Sequence, residues 1–524
     1  MPKSFPAREP RLFAFQVFFI IFTLIVAAHG PLLRLPFFWD EAGFYVPAAY
    51  DLAHHHSLIP VTTADTSHPP LSAAYLALWL TWSGWMPAVA RIAMLLLAAF
   101  ALSNVFLLAR RIANTGVAVA STLATALYPV FFVQSSLTHA DLAAAAFTLW
   151  GIRMAVERRL WISQLAFSLA VLSKETAIFT PLALAVWEFF FSPDATARTK
   201  QFSRWPIYLL PALPLAAWLL FHHHATGRFF GSPQFYQYNV AATLSPLRFV
   251  LAFGIRLWNL LGFMNMLALT AAMLAAMWFP AVVDHGVARE RISIPIQIQF
   301  AFIMLANLLA FSLLGGALLT RYLLPLYPLV IIIGMSTLRR RIGRWEWPAA
   351  LVIICFVLAL FFDPPYKISP EDNLTYKDFV DLHLDAGHFL EQYEQGKAIL
   401  TAWPASDELT RTYLGYINKP LPLVTVQDFT VEEVFKARAM RAQYQVAFVF
   451  STKYNQPTWF HSKTMENLNR RYFDYHTDLP PELIANFLGG KIVFLERKKA
   501  EWVAVIEIEE PGTTAANAQV GSTN

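Results

Sequence analysis

Two adjacent acids, Asp40 and Glu41, follow the first long apolar run of the sequence. A carboxylate beside a lipid bilayer costs free energy, so a pair at this position needs a structural or functional reason. Held at a membrane surface, a carboxylate can act as a general base towards a hydroxyl or an amine that lies within hydrogen-bonding distance. Asp40 could instead cap a helix that begins at Glu41, which is a common role of Asp. The acids by themselves leave both interpretations open.

Three further polar clusters lie at the ends of later apolar runs. They are His139-Ala140-Asp141, Ser173-Lys174-Glu175 and Thr320-Arg321-Tyr322. An ammonium is a point charge and a guanidinium is a bidentate fork, so Lys174 and Arg321 are suited to hold a phosphate or diphosphate group. Each cation could also serve only to set topology at the membrane boundary. The depth that these residues are predicted to share with Asp40 favours a common site.

The composition predicts the setting of this site. Of the 524 residues, 56% are hydrophobic and 14% are charged, and the mean hydropathy is +0.45, which is typical of a polytopic membrane protein. Because about 20 residues span the hydrocarbon, the apolar runs predict about eleven transmembrane helices. We place these helices near residues 12–31, 88–109, 115–134, 139–156, 160–174, 177–192, 205–222, 257–282, 296–315, 321–338 and 346–363.

Basic residues predict the orientation, because cytoplasmic loops carry the excess of Lys and Arg. With the N-terminus inside, the inner loops contain Arg110 and Arg111, Arg158 and Arg159, the group 198–204, Arg289 and Arg291, and the group 339–344. The acidic pair then faces outward, in a long outer loop over residues 32–87. The basic start of the chain and the many later apolar runs favour an uncleaved first helix.

Beyond Asp363-Pro364-Pro365 the composition becomes mixed and polar, which marks a domain boundary. We predict a transmembrane domain over residues 1–363, a small soluble α/β domain over 364–510 and a disordered tail over 511–524. Strands are expected at 398–400, 446–450, 492–495 and 503–506, and helices near 375–394, 405–415, 430–442 and 481–488.

The order of these motifs resembles that of the membrane glycosyltransferases of the GT-C fold. The resemblance covers roughly residues 12–363 and is strongest to bacterial members of the branch that contains protein O-mannosyltransferases and the lipid A aminoarabinose transferase, in glycosyltransferase families 39 and 83. The matching residues are Asp40-Glu41, His68-Pro69-Pro70-Leu71, Thr138-His139-Ala140-Asp141-Leu142, Leu172-Ser173-Lys174-Glu175-Thr176 and Thr320-Arg321-Tyr322-Leu323-Leu324-Pro325.

The resemblance implies a GT-C fold and an inverting glycosyltransferase at the outer face of the bacterial inner membrane. The donor would be a sugar linked through phosphate to a polyprenyl lipid, and the acceptor a lipid, a glycan or a protein. Asp40 would be the catalytic base with Glu41 beside it, and Lys174 and Arg321 would lie near the donor phosphate. Asp141 would form the second acidic site, and the same motifs place His68 and Tyr322 among the substrate-binding residues.

Other cofactors and partners are not expected. No glycine-rich phosphate loop follows a strand, and the single Cys355 cannot form an intramolecular disulfide. A divalent metal stays an open alternative, although the triplets His54-His55-His56 and His222-His223-His224 have poor ligand spacing, because adjacent residues of a helix point in different directions. Membrane lipid is the expected surrounding partner, and nucleic acid is not expected.

The sequence is also compatible with two other functions. A transporter or flippase of lipid-linked sugars would carry its functional charges in mid-membrane and contain inverted repeats, whereas here the charges collect at one face. A non-catalytic assembly protein of the cell envelope would have the soluble domain as its working part.

Overall fold

The computed structural model describes residues 11–191, 204–233, 245–314, 317–456, 462–473 and 475–509. The predicted tail at 511–524 lies outside the described residues. Up to Phe361 the described chain is mostly helical, and helix occurs at all eleven predicted places. These helices are α1 Arg11–His29, α2 Val46–His55, α3 Leu71–Ser83, α4 Pro87–Ile112, α5 Thr115–Leu127, α6 Pro129–Gln134, α7 Ala140–Val156, α8 Leu160–Ser173, α9 Phe179–Phe191, α10 Ala212–Thr226, α11 Pro246–Leu261, α12 Met266–Ala276, α13 Ile294–Leu313, α14 Tyr327–Arg341 and α15 Glu346–Phe361.

Two predicted helices are each divided in the structure. The run 115–134 breaks at Pro129, because proline has no N–H to continue the helix and keeps Tyr128 extended. The run predicted at 257–282 begins earlier, at Pro246, and divides where Met264 and Asn265 adopt left-handed backbone. The single helix predicted there was therefore wrong, and two helices, α11 and α12, take its place.

Several helical segments can cross a membrane, and the protein is a multi-pass membrane protein. Within the described ranges, five segments are long and apolar enough by length and composition. They are Arg11–Leu32, Pro87–Ile112, Trp205–Thr226, Pro246–Ala276 and Ile294–Leu313. Shorter apolar helices are α5, α8 and α15.

The helices place the predicted site residues and the predicted inner basic groups at opposite ends. Asp141 lies in the first turn of α7 and Arg153 in its last turn, shortly before Arg158 and Arg159. Arg321 lies in the turn that precedes α14, and the arginines 339–341 lie in the last turn of α14. At 1.5 Å of rise per residue, the 15-residue α14 separates its ends by about 20 Å. In these two helices the site residues and the basic groups therefore lie at opposite ends, as the charge pattern of the sequence predicts.

A short hairpin of β1 Val283–Asp284 and β2 Val287–Ala288 lies between α12 and α13. The C-terminal region contains the strands β3 Ile399–Ala402, β4 Leu423–Val426, β5 Val446–Phe450, β6 Gly490–Lys498 and β7 Glu501–Ile508. These five strands form a mixed sheet of order β4-β3-β5-β7-β6. Strand β5 lies at its centre, parallel to β3 and antiparallel to β7, and all five of its residues are buried, which explains its unbroken apolar sequence. Strand β4 was not predicted. The helices of this region are α16 Thr375–Tyr393, α17 Ala405–Glu408, α18 Val431–Ala439, α19 Lys463–Tyr472 and α20 Pro481–Leu488.

This C-terminal region packs directly on the segment around the acidic pair. The backbone N–H of Phe37 donates to the carbonyl of Leu414 at 3.2 Å, and the Tyr416 hydroxyl donates to the carbonyl of Phe37 at 3.0 Å. The indole of Trp403 lies against Gly43 so closely that a Cβ there would be 2.4 Å from its Nε1. A glycine at position 43 is therefore what allows the indole to approach the backbone.

Candidate active site

Arg321 lies at the centre of a buried charge cluster. It belongs to the helical turn Thr320–Leu323, immediately before α14, and its side chain is 4% exposed. The guanidinium Nη2 donates to Oδ2 of Asp40 and Nη1 donates to Oε2 of Glu371, while Nε lies 3.4 Å from Oδ2 of Asp141. One guanidinium thus faces three carboxylates that come from three separate parts of the chain.

Lys174 is the second cation of the cluster. Its Nζ donates to Oδ1 of Asp141 at 2.6 Å and lies 4.1 Å from the centre of the Tyr322 ring. Lys174 has extended backbone at the C-terminal end of α8, whereas Asp141 lies in the first turn of α7. The N-terminal turn of a helix favours a carboxylate, so α7 supports the charge of Asp141. Predicted residues from four distant motifs therefore meet at one place.

Asp40 is the most exposed of the three acids that surround Arg321. Its side chain is 19% exposed, against 3% for Asp141 and 8% for Glu371. It precedes the π-helical turn Glu41–Tyr45 but makes no side-chain cap hydrogen bond, so the helix-cap interpretation of Asp40 was wrong. Its Oδ1 makes no hydrogen bond to the described part of the chain. One oxygen therefore binds Arg321, and the other is available to an incoming group.

Glu41, predicted as the catalytic partner of Asp40, has a different environment. It is fully buried, and both of its oxygens are occupied: Arg91 binds them at 2.6 and 3.0 Å. The backbone N–H groups of Phe38 and Thr138 donate to them at 2.7 and 2.6 Å. With four donors and no solvent contact, Glu41 holds the chain around Asp40 in place and has no free lone pair directed at a substrate.

His68 lies at the edge of the cluster. Its Nδ1 is 2.9 Å from Oε2 of Glu175, and its ring stacks parallel to that of Tyr45 with centroids 6.1 Å apart. The ring of Tyr45 also packs against that of His139, with the two centroids 5.5 Å apart. His68 is thus joined to the ion cluster through its aromatic neighbours.

Glu371 and Asp372 were missed by the sequence analysis. They form the helical turn Pro370–Asp372, nine residues after the end of α15, where Ser369 and Asp372 make a capping box. Asp372 also accepts a hydrogen bond from the Thr320 hydroxyl, next to Arg321. Burial raises the pKa of Glu371 to about 7 and that of Asp372 to about 6. The available signal was Pro370-Glu371-Asp372 directly after the linker, but such a triplet is typical of an ordinary helix start.

Arg256 is a second residue that the sequence analysis missed. It is fully buried on α11, where Nε donates to the carbonyl of Phe311 at 3.1 Å and Nη2 to that of Ala317 at 3.3 Å. Its Nη1 has no partner, and no acid lies within ion-pair distance in the ranges that the structure covers. Its guanidinium lies 5.8 Å from the centre of the Tyr322 ring, so both Arg256 and Lys174 lie near this ring. An arginine inside an apolar run is itself a signal of function.

An apolar groove ends near these two cations. It has about 430 Å³ of empty volume between α9 and α13. Its lining residues are Phe179, Leu182, Ala183, Val186, Phe302, Ala306 and Ala310. A row of aromatic rings continues from the groove: the ring centroids of Phe179 and Phe311 are 5.4 Å apart, and those of Phe311 and Tyr322 are 5.7 Å apart. An apolar surface that leads to buried positive charge suits an amphiphile with an anionic head.

A second, more polar pocket lies on the other side of the cluster. It has about 600 Å³ of empty volume and is lined by residues of segment 44–73 together with Ala140, Ser173 and Trp218. Because Ala140 and Ser173 directly precede Asp141 and Lys174, one wall of this pocket is the backbone that carries the ion pair. The wall also includes Tyr45, Asp65 and His68, so hydrogen-bonding and aromatic groups face the same space.

No metal site is found in the part of the chain that the structure describes, since no group of three or more His, Cys, Asp or Glu side chains is arranged to hold an ion. The triplet His222-His223-His224 is divided between different partners. His222 binds Asp65 at 2.9 Å, whereas His223 stacks on Phe229.

Comparison with known proteins connects this geometry to one fold. Residues 67–222 match the family model described as dolichyl-phosphate-mannose-protein mannosyltransferase. The crystal structure of ArnT from Cupriavidus metallidurans in the apo state aligns with a TM-score of 0.56 at 13% identity, over 94% of this chain and 98% of that chain. The same protein bound to undecaprenyl phosphate aligns with a TM-score of 0.54 at 13% identity, over 95% and 98% of the two chains.

An oligosaccharyltransferase from Archaeoglobus fulgidus, in its apo form, aligns with a TM-score of 0.44 at 11% identity, over 92% of this chain and 73% of that chain. A comparison with curated protein sequences gave no match. The resemblance seen in the sequence motifs is confirmed at the level of the fold: the chain has the GT-C fold, with a C-terminal sheet region.

Proposed function

We propose that the protein is an inverting glycosyltransferase that moves a sugar from a polyprenyl-phosphate donor to a lipid, glycan or protein acceptor. In this proposal the chain lies in a bacterial inner membrane with its N-terminus in the cytoplasm, and the reaction takes place at the outer face. Residues 1–363 form the transmembrane domain and 364–510 the outer domain. The single observation that carries the proposal is the placement of Asp40 in a cluster of buried cations at the end of an apolar groove.

The donor fits the groove and the cations in a defined order. The polyprenyl tail lies against α9 and α13, and the phosphate lies beside Tyr322, between Lys174 and Arg256. Arg321 was predicted as a phosphate ligand, but its three guanidinium nitrogens already face carboxylates. We therefore assign the main phosphate contacts to Arg256, whose Nη1 has no protein partner in the described chain, and to Lys174. The undecaprenyl phosphate held by the structural neighbour supports this class of donor.

Asp40 then acts as the base. A hydroxyl or amine of the acceptor donates its proton to Oδ1 of Asp40 while its lone pair attacks the anomeric carbon. The bond between that carbon and the phosphate oxygen breaks on the opposite face, and its electron pair leaves with the polyprenyl phosphate. Configuration at the anomeric carbon is inverted, and one carboxylate is enough, in contrast to glycoside hydrolysis with two.

The surrounding residues stabilise this step in different ways. Negative charge grows on the leaving phosphate, and buried cations that are already positioned stabilise it more than water would. Arg321 holds Oδ2 of Asp40 and leaves Oδ1 without a donor from the described chain, and Arg91 with Glu41 fixes the adjacent backbone. The polar pocket beside Tyr45 and His68 is the place that this proposal gives to the sugar ring and part of the acceptor.

The test is Asp40→Asn, measured as sugar transfer in membranes or nanodiscs. We expect transfer to be lost while the amount of inserted protein is unchanged, because Asn keeps the shape and can still accept from Arg321 but cannot take a proton. Asp284→Asn is the matched control, since Asp284 lies in the β1–β2 hairpin at the far end of the bundle. Full turnover by Asp40→Asn would remove the base assignment, and donor flipping without any transfer would favour the transporter alternative.

The donor can be identified directly. Mass analysis of the lipid that copurifies with the Asp40→Asn protein is expected to find a polyprenyl phosphate linked to a sugar. A copurifying nucleotide sugar would contradict the proposed donor class.

A further inference from the structure

The ion cluster around Arg321 contains one carboxylate more than it contains cations. Asp40, Asp141 and Glu371 face Arg321 and Lys174 at the distances of ion pairs. If all five groups are charged, the cluster has a net charge of minus one in a place that is almost closed to water. An anionic donor that enters next to Lys174 adds a further negative charge at short range. Arg256, which the proposed function places against the phosphate, offsets one of these two negative charges. Because interactions between buried charges are weakly screened, the negative charge that is left must be compensated locally.

Glu371 is the member of the cluster that is placed to compensate it. Its Oε2 binds Nη1 of Arg321, but its Oε1 is buried without a partner in the described chain. A protonated carboxyl can keep the bond from Arg321 on one oxygen and carry its proton on the other. Asp40 and Asp141 are less suited, since Asp40 must stay ionised as the base and Asp141 is bound to Lys174 at 2.6 Å.

The charged groups near Glu371 act in both directions. Burial raises the pKa of Glu371 to about 7, Arg321 opposes this, and the neighbouring acids add to it. The titratable and charged groups that face Glu371 are Arg321 from the turn before α14, Asp40 from the outer segment, His139 and Asp141 from α7 and its cap, and Asp372 from its own turn. A carboxyl in these surroundings changes its protonation easily near neutral pH.

We propose that Glu371 takes up one proton from water when the anionic lipid-phosphate donor binds, and returns it when the lipid phosphate leaves. This inference rests on the proposed function and adds a positioning residue to it, supplied by the C-terminal region of the chain. Glu371 acts through Arg321: it keeps the guanidinium in place against Asp40 in both protonation states, while its own charge is adjusted to that of the bound lipid.

Thermodynamic linkage gives the consequence for binding. A ligand whose binding takes up a proton binds more weakly as the pH rises above the pKa of the free group, by up to about tenfold per pH unit. Donor affinity is therefore expected to be constant at pH 6 and below and to fall above pH 7. The effect belongs to donor binding, so KM for the donor changes with pH through this group while the proton transfer to Asp40 is a separate step.

The experiment is isothermal titration calorimetry of the full chain in nanodiscs with methyl undecaprenyl phosphate, a phosphodiester that carries one charge at every pH used. Heats measured at pH 7.5 in two buffers of different ionisation enthalpy give the number of protons taken up. We expect a clear uptake for the unmodified protein and none for Glu371→Gln. At pH 8 the variant should bind the probe up to about tenfold more tightly than the unmodified protein, and equally at pH 6.

Asp407→Asn is the matched control, because Asp407 is a mostly buried acid whose pKa burial likewise raises, to about 6, and it pairs with Arg411 away from Arg321. It should keep the full proton uptake. Equal uptake by Glu371→Gln and the unmodified protein, or no uptake by the unmodified protein, would overturn the inference while sugar transfer still supported the proposed function. If Glu371→Gln does not fold, proton uptake by the unmodified protein still tests the inference. This uptake must vanish at pH 5, because Glu371 is then protonated before the probe binds. Failure of the unmodified protein to bind the lipid probe at any pH would instead count against the proposed donor class.

Discussion

Nζ of Lys174 lies 2.6 Å from Oδ1 of Asp141, and this ion pair joins the C-terminal end of α8 to the first turn of α7. Both side chains are 5% exposed or less. The pair links the phosphate side of the cluster at Tyr322 to the base side at Arg321, because Asp141 contacts both cations. Removal of one partner from such a buried ion pair lowers the stability of the protein, because the other partner stays charged and without compensation.

Lys174→Met is expected to lower kcat/KM for transfer by about 10²–10³-fold, because it removes a preformed contact to the leaving phosphate. Transfer kinetics in nanodiscs measure the effect. The double variant Lys174→Met with Asp141→Asn should recover the thermal stability that the single change loses, without recovering activity. Recovery of activity in the double variant would mean that Lys174 serves only to neutralise Asp141.

Arg256→Gln should raise KM for the donor by about 10–100-fold, the range for loss of a hydrogen bond between charged groups, and should change kcat less. The expected reason is the loss of a buried cation that has no carboxylate within ion-pair distance in the described chain. Donor titrations of the purified protein provide the measurement, with Arg289→Gln in the β1–β2 hairpin region as the control cation. An unchanged KM would place the phosphate elsewhere.

Glu41→Ala should reduce the free energy of unfolding by about 3–5 kcal/mol, since Arg91 would remain charged in a fully buried position. The change therefore acts on the amount of folded protein, whereas Asp40→Asn acts on turnover. Thermal unfolding in detergent, together with the activity per folded molecule, separates the two. If Glu41→Ala were as stable as the unmodified protein but inactive, Glu41 would have to be returned to the catalytic pair.

Gly43→Ala should destabilise the protein by about 1–3 kcal/mol through overpacking against Trp403, because the added Cβ would meet the indole at 2.4 Å. Thermal unfolding and limited proteolysis of the C-terminal region would show the loosened contact. Combination with Trp403→Ala should cost less than the sum of the single changes, as expected for residues in direct contact. Strict additivity would contradict this packing.

Stability should also depend on pH through Glu371. Its pKa is about 7 in the folded protein against an ordinary value of 4.5, so the folded state binds the proton more tightly than the unfolded state. The resulting stabilisation is fully present below pH 4.5 and is lost as the pH rises through 7. At about 1.4 kcal/mol per pKa unit, this contribution is about 3 kcal/mol. Melting temperatures of the unmodified protein and Glu371→Gln between pH 5 and 8 should converge at the acid end, with the variant the more stable at pH 8.

The sequence was sufficient for the architecture of the membrane region. Runs of apolar residues long enough for the hydrocarbon predicted helix at the right places, and the Lys and Arg groups predicted sidedness that the two ends of α7 and α14 reproduce. Both signals are local and repeated along the chain, so they can be read without contacts. The interruptions at Pro129 and at Met264 were harder to predict, because helices in apolar surroundings can also continue through such residues.

Pairing within the site could not be read from the chain. The motifs brought Asp40, Asp141, Lys174 and Arg321 into one hypothesis, yet only the fold shows that Arg321 is occupied by carboxylates while Arg256 is not. Whether a charge is free or neutralised depends on neighbours that are far away in sequence. Glu371 is 50 residues from Arg321 and follows a linker, and so no local pattern could connect the two.

The amino-acid sequence by itself determined that this chain lies in a membrane, which residue types collect at one face, and which fold family their order resembles, since hydropathy and motif order are properties of the linear chain. Only the tertiary structure decided which acid stays accessible, as Asp40 does, and which is enclosed, as Glu41 is, although the two are adjacent. The physical reason is that successive residues at the start of a helical turn point in different directions, so one carboxylate meets Arg91 in the interior and the other meets Arg321 at the site.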